Sequence, residues 1–184
     1  MDEVNIVEYD PRWQTLFAQE AEHIWQALGN DLVGEIEHIG SMAVPGMAAK
    51  PVIDIMVGVR SLVDAKSAVP RLESLGYVYW HEDPYPGRMF FVKGMPPYGK
   101  QRTHHVHIVE VKSEFWERKL FCDYLRRHPE EAKRYEALKR ELAASFRSDR
   151  EAYTNGKNDY IRAVMSKARS EDIGKITFVK ATSK

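Results

Sequence analysis

The chain of 184 residues has little of several features that mark special classes of protein. It has a single cysteine, Cys122, so no internal disulfide can form, and we expect a reducing, cytoplasmic environment. Lysine plus arginine and aspartate plus glutamate each number 27, and this zero formal charge argues against a general nucleic-acid-binding surface. No apolar run approaches the roughly 18 residues of a membrane span. The acidic start, residues 1–6, has no apolar stretch typical of a signal peptide.

What is present is an ordinary globular composition, with 43% hydrophobic and 29% charged residues. A chain of this length can bury a core without disulfides or other cross-links. We therefore predict one domain over residues 1–170, whose part from about residue 114 is helical. Residues 171–184 are polar, and we expect them to be a tail or an added edge strand.

Periodicity and turn signals predict a helix, a mixed α/β region and then further helices. The first helix begins at Asp10 and Pro11 and stops at Gly29, and another closes at Gly76. The predicted strands are residues 35–39, 51–59, 77–80, 89–92 and 103–111. Ser148 opens a capping pattern for a last helix that reaches about residue 168.

Two features of residues 38–54 indicate chemistry. Gly40 and Ser41 follow a strand and precede a short helical stretch, where free backbone N–H groups can face a phosphate. Asp54 lies within an apolar strand, where a carboxylate is costly unless it is paired or bound to a metal. A plain strand-to-helix turn and an ion pair from Asp54 to Lys50 or Arg60 are the alternatives. A phosphate-binding turn that faces a metal-binding carboxylate is what nucleotidyl transfer requires.

Residues 38–54 resemble the GrpB family, a branch of the polymerase-beta-like nucleotidyltransferase superfamily. The resemblance extends to residues 7–13, 105–107 and 153–157, so it covers roughly residues 4–168. It implies an α+β fold, a nucleotidyltransferase-like mixed β-sheet flanked by helices, with the C-terminal helices packed on the sheet. It also implies an active-site cleft beside Gly40, Ser41 and Asp54.

The sequence departs from the superfamily pattern at one place. The strand of Asp54 normally carries two acids on one face, but Val52 and Met56 occupy the positions at that spacing. The resemblance also implies that a third acid lies on a later strand, and in this sequence that strand, residues 103–111, carries His105 and His107 on one face. Asp54, His105 and His107 are therefore our candidate ligands for one metal ion. Imidazoles suit zinc, manganese or iron better than magnesium, and the histidines are alternatively phosphate ligands or an acid and base.

The first functional hypothesis is a metal-dependent enzyme that transfers a nucleotidyl group from a nucleoside triphosphate to an unknown acceptor. Asp54 and His107 are its candidate catalytic residues, and its expected cofactor is magnesium or manganese, with a transition metal as the alternative. Gly40 and Ser41, with Lys50 and Lys157, are the candidate phosphate-binding residues. The alternative is a degenerate module that binds a nucleotide or another phosphorylated ligand without turnover. Neither a membrane nor nucleic acid is an expected partner.

Overall fold

The computed structural model describes residues 3–29 and 33–182, with side chains as far as Glu171. The helices within these residues are α1 (Arg12–Leu28), α2 (Ala68–Glu73), α3 (Lys119–Arg127), α4 (Pro129–Ser145), α5 (Arg150–Asn155) and α6 (Asn158–Thr182). The strands are β1 (Val33–Ile39), β2 (Ile53–Val59), β3 (Tyr77–Tyr79), β4 (Arg88–Lys93) and β5 (His104–Glu110). Short 3-10 turns span Ser41–Ala43, Asp64–Ser67 and Trp116–Arg118.

The five strands form one mixed sheet in the order β1-β2-β5-β4-β3. β2 and β5 are parallel neighbours, and the other pairs are antiparallel. β2 is an internal strand of the sheet, which explains why its residues other than Asp54 are apolar on both faces. The predicted α+β class, with a mixed sheet flanked by helices, is confirmed.

Side-chain alternation along β2 divides the apolar interior into two layers. Ile55 and Val57 face α1 and α2, where they pack in one buried cluster with Leu28 and Leu72. Met56 faces the opposite side and joins a second cluster built largely from α3, α4 and α6. Burying each such side chain contributes roughly 1.5–3 kcal/mol. The C-terminal helices thus cover the sheet face that also carries Asp54.

The C-terminal region differs from its prediction in two ways. The helix cap is Asp149 rather than Ser148, because the Asp149 side chain accepts a hydrogen bond from the backbone N–H of Ala152 at 2.9 Å. The alternative of an added edge strand after residue 170 is wrong as far as Thr182, since α6 continues through these residues. Extending an existing helix needs no new nucleation, which outweighs the local strand preference of residues 176–178. Residues 183–184 lie outside the described residues.

No helix in the described part of the chain is both long and apolar enough to cross a membrane.

Candidate functional site

Asp54, His105 and His107 meet on the sheet face beneath the C-terminal helices. The parallel register places Asp54 beside His105, and alternation returns His107 to the same face. The Asp54 Oδ1 atom lies 2.8 Å from His105 Nδ1 and 3.8 Å from His107 Nε2. One potential ligand atom from each residue lies within 4.8 Å of the other two. The structure therefore brings together the three side chains that strand alternation singled out.

Burial and the mutual contacts of these residues set their charges. Burial alone would raise the pKa of Asp54, but its contacts with the two histidines hold that pKa well below the usual value. Burial lowers the pKa of His105 to about 4, although Asp54 opposes the shift. Burial also lowers the pKa of His107, and Arg88 and Arg118 add to that effect. At neutral pH the site holds one carboxylate and two neutral imidazoles.

This donor set suits the single divalent metal ion that the sequence analysis considered for it. Two ligands at about 2.1 Å from one ion lie about 3–3.4 Å apart in octahedral or tetrahedral geometry. The Asp54–His107 separation of 3.8 Å is slightly longer than that range, and the Asp54–His105 separation of 2.8 Å is that of a hydrogen bond. Neutral imidazoles are the form that coordinates metal, and two of them favour manganese, iron or zinc over magnesium. Asp54 itself remains 30% exposed, so a ligand can reach its carboxylate.

Gly40 brings the turn after β1 against the Asp54 carboxylate. Its φ of +75° is in the region that favours glycine, and a Cβ atom here would lie 2.6 Å from Asp54 Oδ2. Ser41 then opens the short turn, and its side chain is a hydrogen-bond partner of Tyr135 on α4. Both residues of the predicted phosphate-binding pair thus lie beside Asp54, while their role in binding stays a prediction.

Helices α3 and α4 hold this turn and the chain that follows it. Arg126 Nε donates to the carbonyl oxygen of Ala43 at 3.0 Å. Glu136 accepts a hydrogen bond from the backbone N–H of Ala48 at 2.9 Å, and Lys139 Nζ donates to the Ala48 carbonyl oxygen at 2.5 Å. The sequence motifs did not include Lys139, although its spacing of four residues from the apolar Tyr135 places both on one helix face.

The buried Lys139 makes the stability of the folded protein depend on pH. Burial lowers the pKa of this lysine from 10.5 to about 7, so between these values the unfolded chain binds one more proton than the folded chain. Stability should therefore rise with pH in that window, by at most about 1.4 kcal/mol per pH unit. Lys139→Met should lose this contribution to the slope in urea unfolding between pH 7 and 9.5, while Lys157, whose pKa burial lowers to about 8, keeps its own contribution. Lys133→Met, at an exposed position of α4, should keep it, and parallel curves for the two variants would contradict the assignment.

Cationic side chains approach Asp54 from the helical side. The Nζ atoms of Lys157 and Lys50 lie 4.2 and 5.9 Å from the centre of the Tyr153 ring. Burial lowers the pKa of Lys157 to about 8, with Asp54 opposing and Arg150 adding to that shift. Lys157 therefore lies near the carboxylate, Lys50 approaches the same tyrosine ring from further away, and Arg150 is a further cation that the sequence did not single out.

Arg88, like Lys139 and Arg150, is a residue that sequence reasoning missed. Its Nη1 atom lies 3.1 Å from His107 Nδ1. Phe90 on β4 is paired with His107 on β5, so strand alternation also places Arg88 on that face. The two-residue spacing of Arg88 and Phe90 therefore indicates the position of Arg88 as soon as β4 is known to lie beside β5.

A histidine and a lysine of the neighbouring strands β1 and β4 face away from Asp54. His38 stacks on Phe17 of α1, with ring centres 4.4 Å apart, on the opposite side of the sheet. At the end of β4, Lys93 Nζ donates to Glu20 of α1 at 2.7 Å. Neither residue is placed to bind a ligand at the carboxylate.

Comparisons with known proteins agree with this architecture. The family model described as GrpB protein matches residues 3–167. The chain is 46% identical over 167 residues to a UPF0157 protein of Pseudomonas aeruginosa, covering 91% of this chain and 68% of the relative. It is 34% identical over 166 residues to the glutamate-rich protein GrpB of Alkalihalophilus pseudofirmus, covering 89% and 95% respectively. The crystal structure of the conserved protein GrpB from Enterococcus faecalis has a TM-score of 0.80 and 33% identity, covering 91% of this chain and 98% of that one. This chain belongs to the GrpB family.

Proposed function

We propose that this chain binds a nucleoside triphosphate, or a related phosphorylated small molecule, beside Asp54 and transfers its nucleotidyl group to an acceptor. The observation that carries this proposal is the convergence of Asp54, His105 and His107 within 4.8 Å. Arg150 at the start of α5 and Lys157 in the turn between α5 and α6 add positive charge near that carboxylate. A site that combines one carboxylate with surrounding cations suits an anionic ligand that brings a divalent metal with it.

Each residue has a role in this proposal. Asp54, His105 and His107 would hold the divalent metal, which when bound would neutralise phosphate charge and activate the attacking hydroxyl. Lys157, with a pKa of about 8, is mostly protonated at neutral pH and neutralises phosphate charge together with Lys50. Gly40 and Ser41 provide a close backbone approach and a hydroxyl donor. Acid–base catalysis is the alternative role of His107, in which Nε2 carries a proton for an incoming or departing oxygen instead of binding the metal.

One observation favours the second candidate, a module that binds such a ligand without turnover. Met56 follows Asp54 on the same face of β2 and is fully buried, so the strand offers no second carboxylate at that spacing. A two-metal mechanism would lack a ligand there. Pyrophosphate release on incubation with a nucleoside triphosphate and an acceptor distinguishes the transferase from the binding module.

Neither nucleic acid nor a membrane is needed as a partner in this proposal. Cys122, the single cysteine, is a buried thiol whose pKa burial raises to about 12. Such a thiol fits the reducing cytoplasm that we propose as the compartment.

Binding should be visible as stabilisation of the folded state. A nucleoside triphosphate with Mn²⁺, present at about 100 times its Kd, should stabilise the fold by about 2.7 kcal/mol, or very roughly 5–10 °C in Tm. The shift should be smaller for Lys157→Met, which removes a phosphate-facing charge and keeps a flexible apolar side chain. Absence of a shift with every nucleotide tested at millimolar concentration would refute nucleotide binding here.

A further inference from the structure

Arg88 is held rigidly against His107. Its Nε and Nη2 atoms donate to the two carboxylate oxygens of Asp83 at 2.5 and 2.7 Å, and both side chains are less than 10% exposed. The guanidinium carbon lies 4.7–5.0 Å from the ring centres of Tyr85, Phe90 and Phe115. With two of its nitrogens used by Asp83, Arg88 directs Nη1 to His107 Nδ1 at 3.1 Å.

This contact determines where His107 carries its proton. A guanidinium only donates hydrogen bonds and stays protonated, so Nδ1 of His107 must accept. A neutral imidazole has one N–H group, which is then at Nε2, the atom that faces Asp54 Oδ1 at 3.8 Å. Metal coordination through Nε2 needs the opposite arrangement, with a lone pair at Nε2 and the proton at Nδ1. Metal-binding histidines usually donate that other N–H to a carboxylate or a carbonyl group. Arg88 is a donor at this position.

His105 shows the same polarity. Its Nδ1 atom lies 2.8 Å from Asp54 Oδ1, and a charged carboxylate only accepts, so Nδ1 carries the proton. Its Nε2 atom is buried and has no hydrogen-bond partner among the described residues, as expected for a nitrogen that carries no hydrogen. In this arrangement both imidazoles present N–H groups to the single carboxylate.

We propose that Arg88 is a positioning residue that weakens metal coordination by His107, because its hydrogen bond keeps the proton on the nitrogen that would bind the ion. Coordination of the neutral ring through Nε2 requires that proton to move to Nδ1, which breaks the Arg88 hydrogen bond. The inference rests on the proposed function in taking this site as the one that receives a divalent ion. A free ion then binds weakly, and position 88 sets that affinity.

Nitrogen-15 NMR of the histidines tests the tautomer directly in the metal-free full-length protein. The His107 signals are assigned by their loss in His107→Gln. We expect Nε2 to be protonated and Nδ1 to accept a hydrogen bond in the wild type. In Arg88→Met, His107 should populate both tautomers, whereas Arg88→Lys, which keeps a donor, should retain the wild-type tautomer. A wild-type His107 protonated at Nδ1 would overturn the proposal.

Titration with Zn²⁺ alone, without nucleotide, tests the consequence. Arg88→Met should bind Zn²⁺ at least about 10-fold more tightly than the wild type, in line with the effect of partners behind metal ligands. Because this variant frees the Asp83 carboxylate, the double variant Asp83→Asn/Arg88→Met must show the same gain. Arg88→Gln is a second variant in case Arg88→Met fails to fold, because its amide can still donate to Asp83 and accept from His107 Nδ1. Thermal unfolding shows which of the variants are folded.

Equal Zn²⁺ affinity in the wild type and in the folded Arg88→Met and Arg88→Gln variants would overturn the proposal. The same holds for a gain that disappears when Asp83 is also replaced, since Asp83 would then be the ligand. These readouts need no nucleotide. Failure of nucleotide to stabilise the protein refutes the proposed function and leaves the role of Arg88 intact, whereas an unprotonated Nε2 in the wild type refutes only the role of Arg88.

Discussion

Asp54→Asn is expected to weaken binding of a nucleoside triphosphate with Mn²⁺ by at least about 100-fold, because a direct ligand should matter at least as much as outer partners, whose loss costs about 10–100-fold. The substitution removes the charge shared by the candidate metal ligands and keeps the side-chain shape. The amide oxygen can still accept from His105 Nδ1, which lies 2.8 Å from the native carboxylate oxygen. The fold should therefore persist.

Isothermal titration with the nucleotide and Mn²⁺ measures the loss, and circular dichroism checks the fold. Asp64→Asn provides the matched control, because Asp64 is an exposed aspartate in the 3-10 turn that follows β2. It should bind like the wild type. If Asp54→Asn binds within a few-fold of the wild type, the ligand lies elsewhere and the role assigned to Asp54 fails.

The local patterns predicted the elements of the site better than their assembly. Alternation in a strand is enough to place His105 and His107 on one face. That this strand lies beside the strand of Asp54 depended on the family resemblance, since pairing between residues about 50 positions apart has no local signal. The parallel register then explains the contact between Asp54 and His105.

The missed residues depend on long-range packing. Arg88 reaches His107 from β4 and Lys139 reaches the Ala48 carbonyl oxygen from α4, across 19 and 91 positions of the chain. Charged side chains of this kind usually lie in solvent, so neither residue type signals a buried role. The helix over residues 171–182 has no clear local signal, because residues 176–178 are β-branched or aromatic and favour a strand.

The turn at Gly40 connects the fold to the site more directly than any other backbone feature. Helix α3 holds it from behind, where Cys122 Sγ donates to the Gly40 carbonyl oxygen at 3.6 Å and Arg126 donates to the carbonyl oxygen of Ala43 at 3.0 Å. The Asp54 carboxylate lies in front of it, held by His105. The turn therefore has little freedom to move if a larger side chain is placed between it and the carboxylate.

Gly40→Ala is accordingly expected to destabilise the protein by about 2–5 kcal/mol, the sum of backbone strain and overpacking. The added Cβ would lie 2.6 Å from Asp54 Oδ2, and the backbone would keep a φ of +75°. Gly46→Ala is the matched control, because Gly46 has a φ of +78° and no atom within 4 Å of the position that its added Cβ would take. It should lose only the cost of the backbone conformation, about 1 kcal/mol or slightly more. Urea unfolding of both variants measures the difference, which reports the collision with Asp54. Equal losses of stability in the two variants would show that Asp54 moves aside at no cost. A loss of nucleotide binding that occurs only in Gly40→Ala would show that the turn positions the carboxylate.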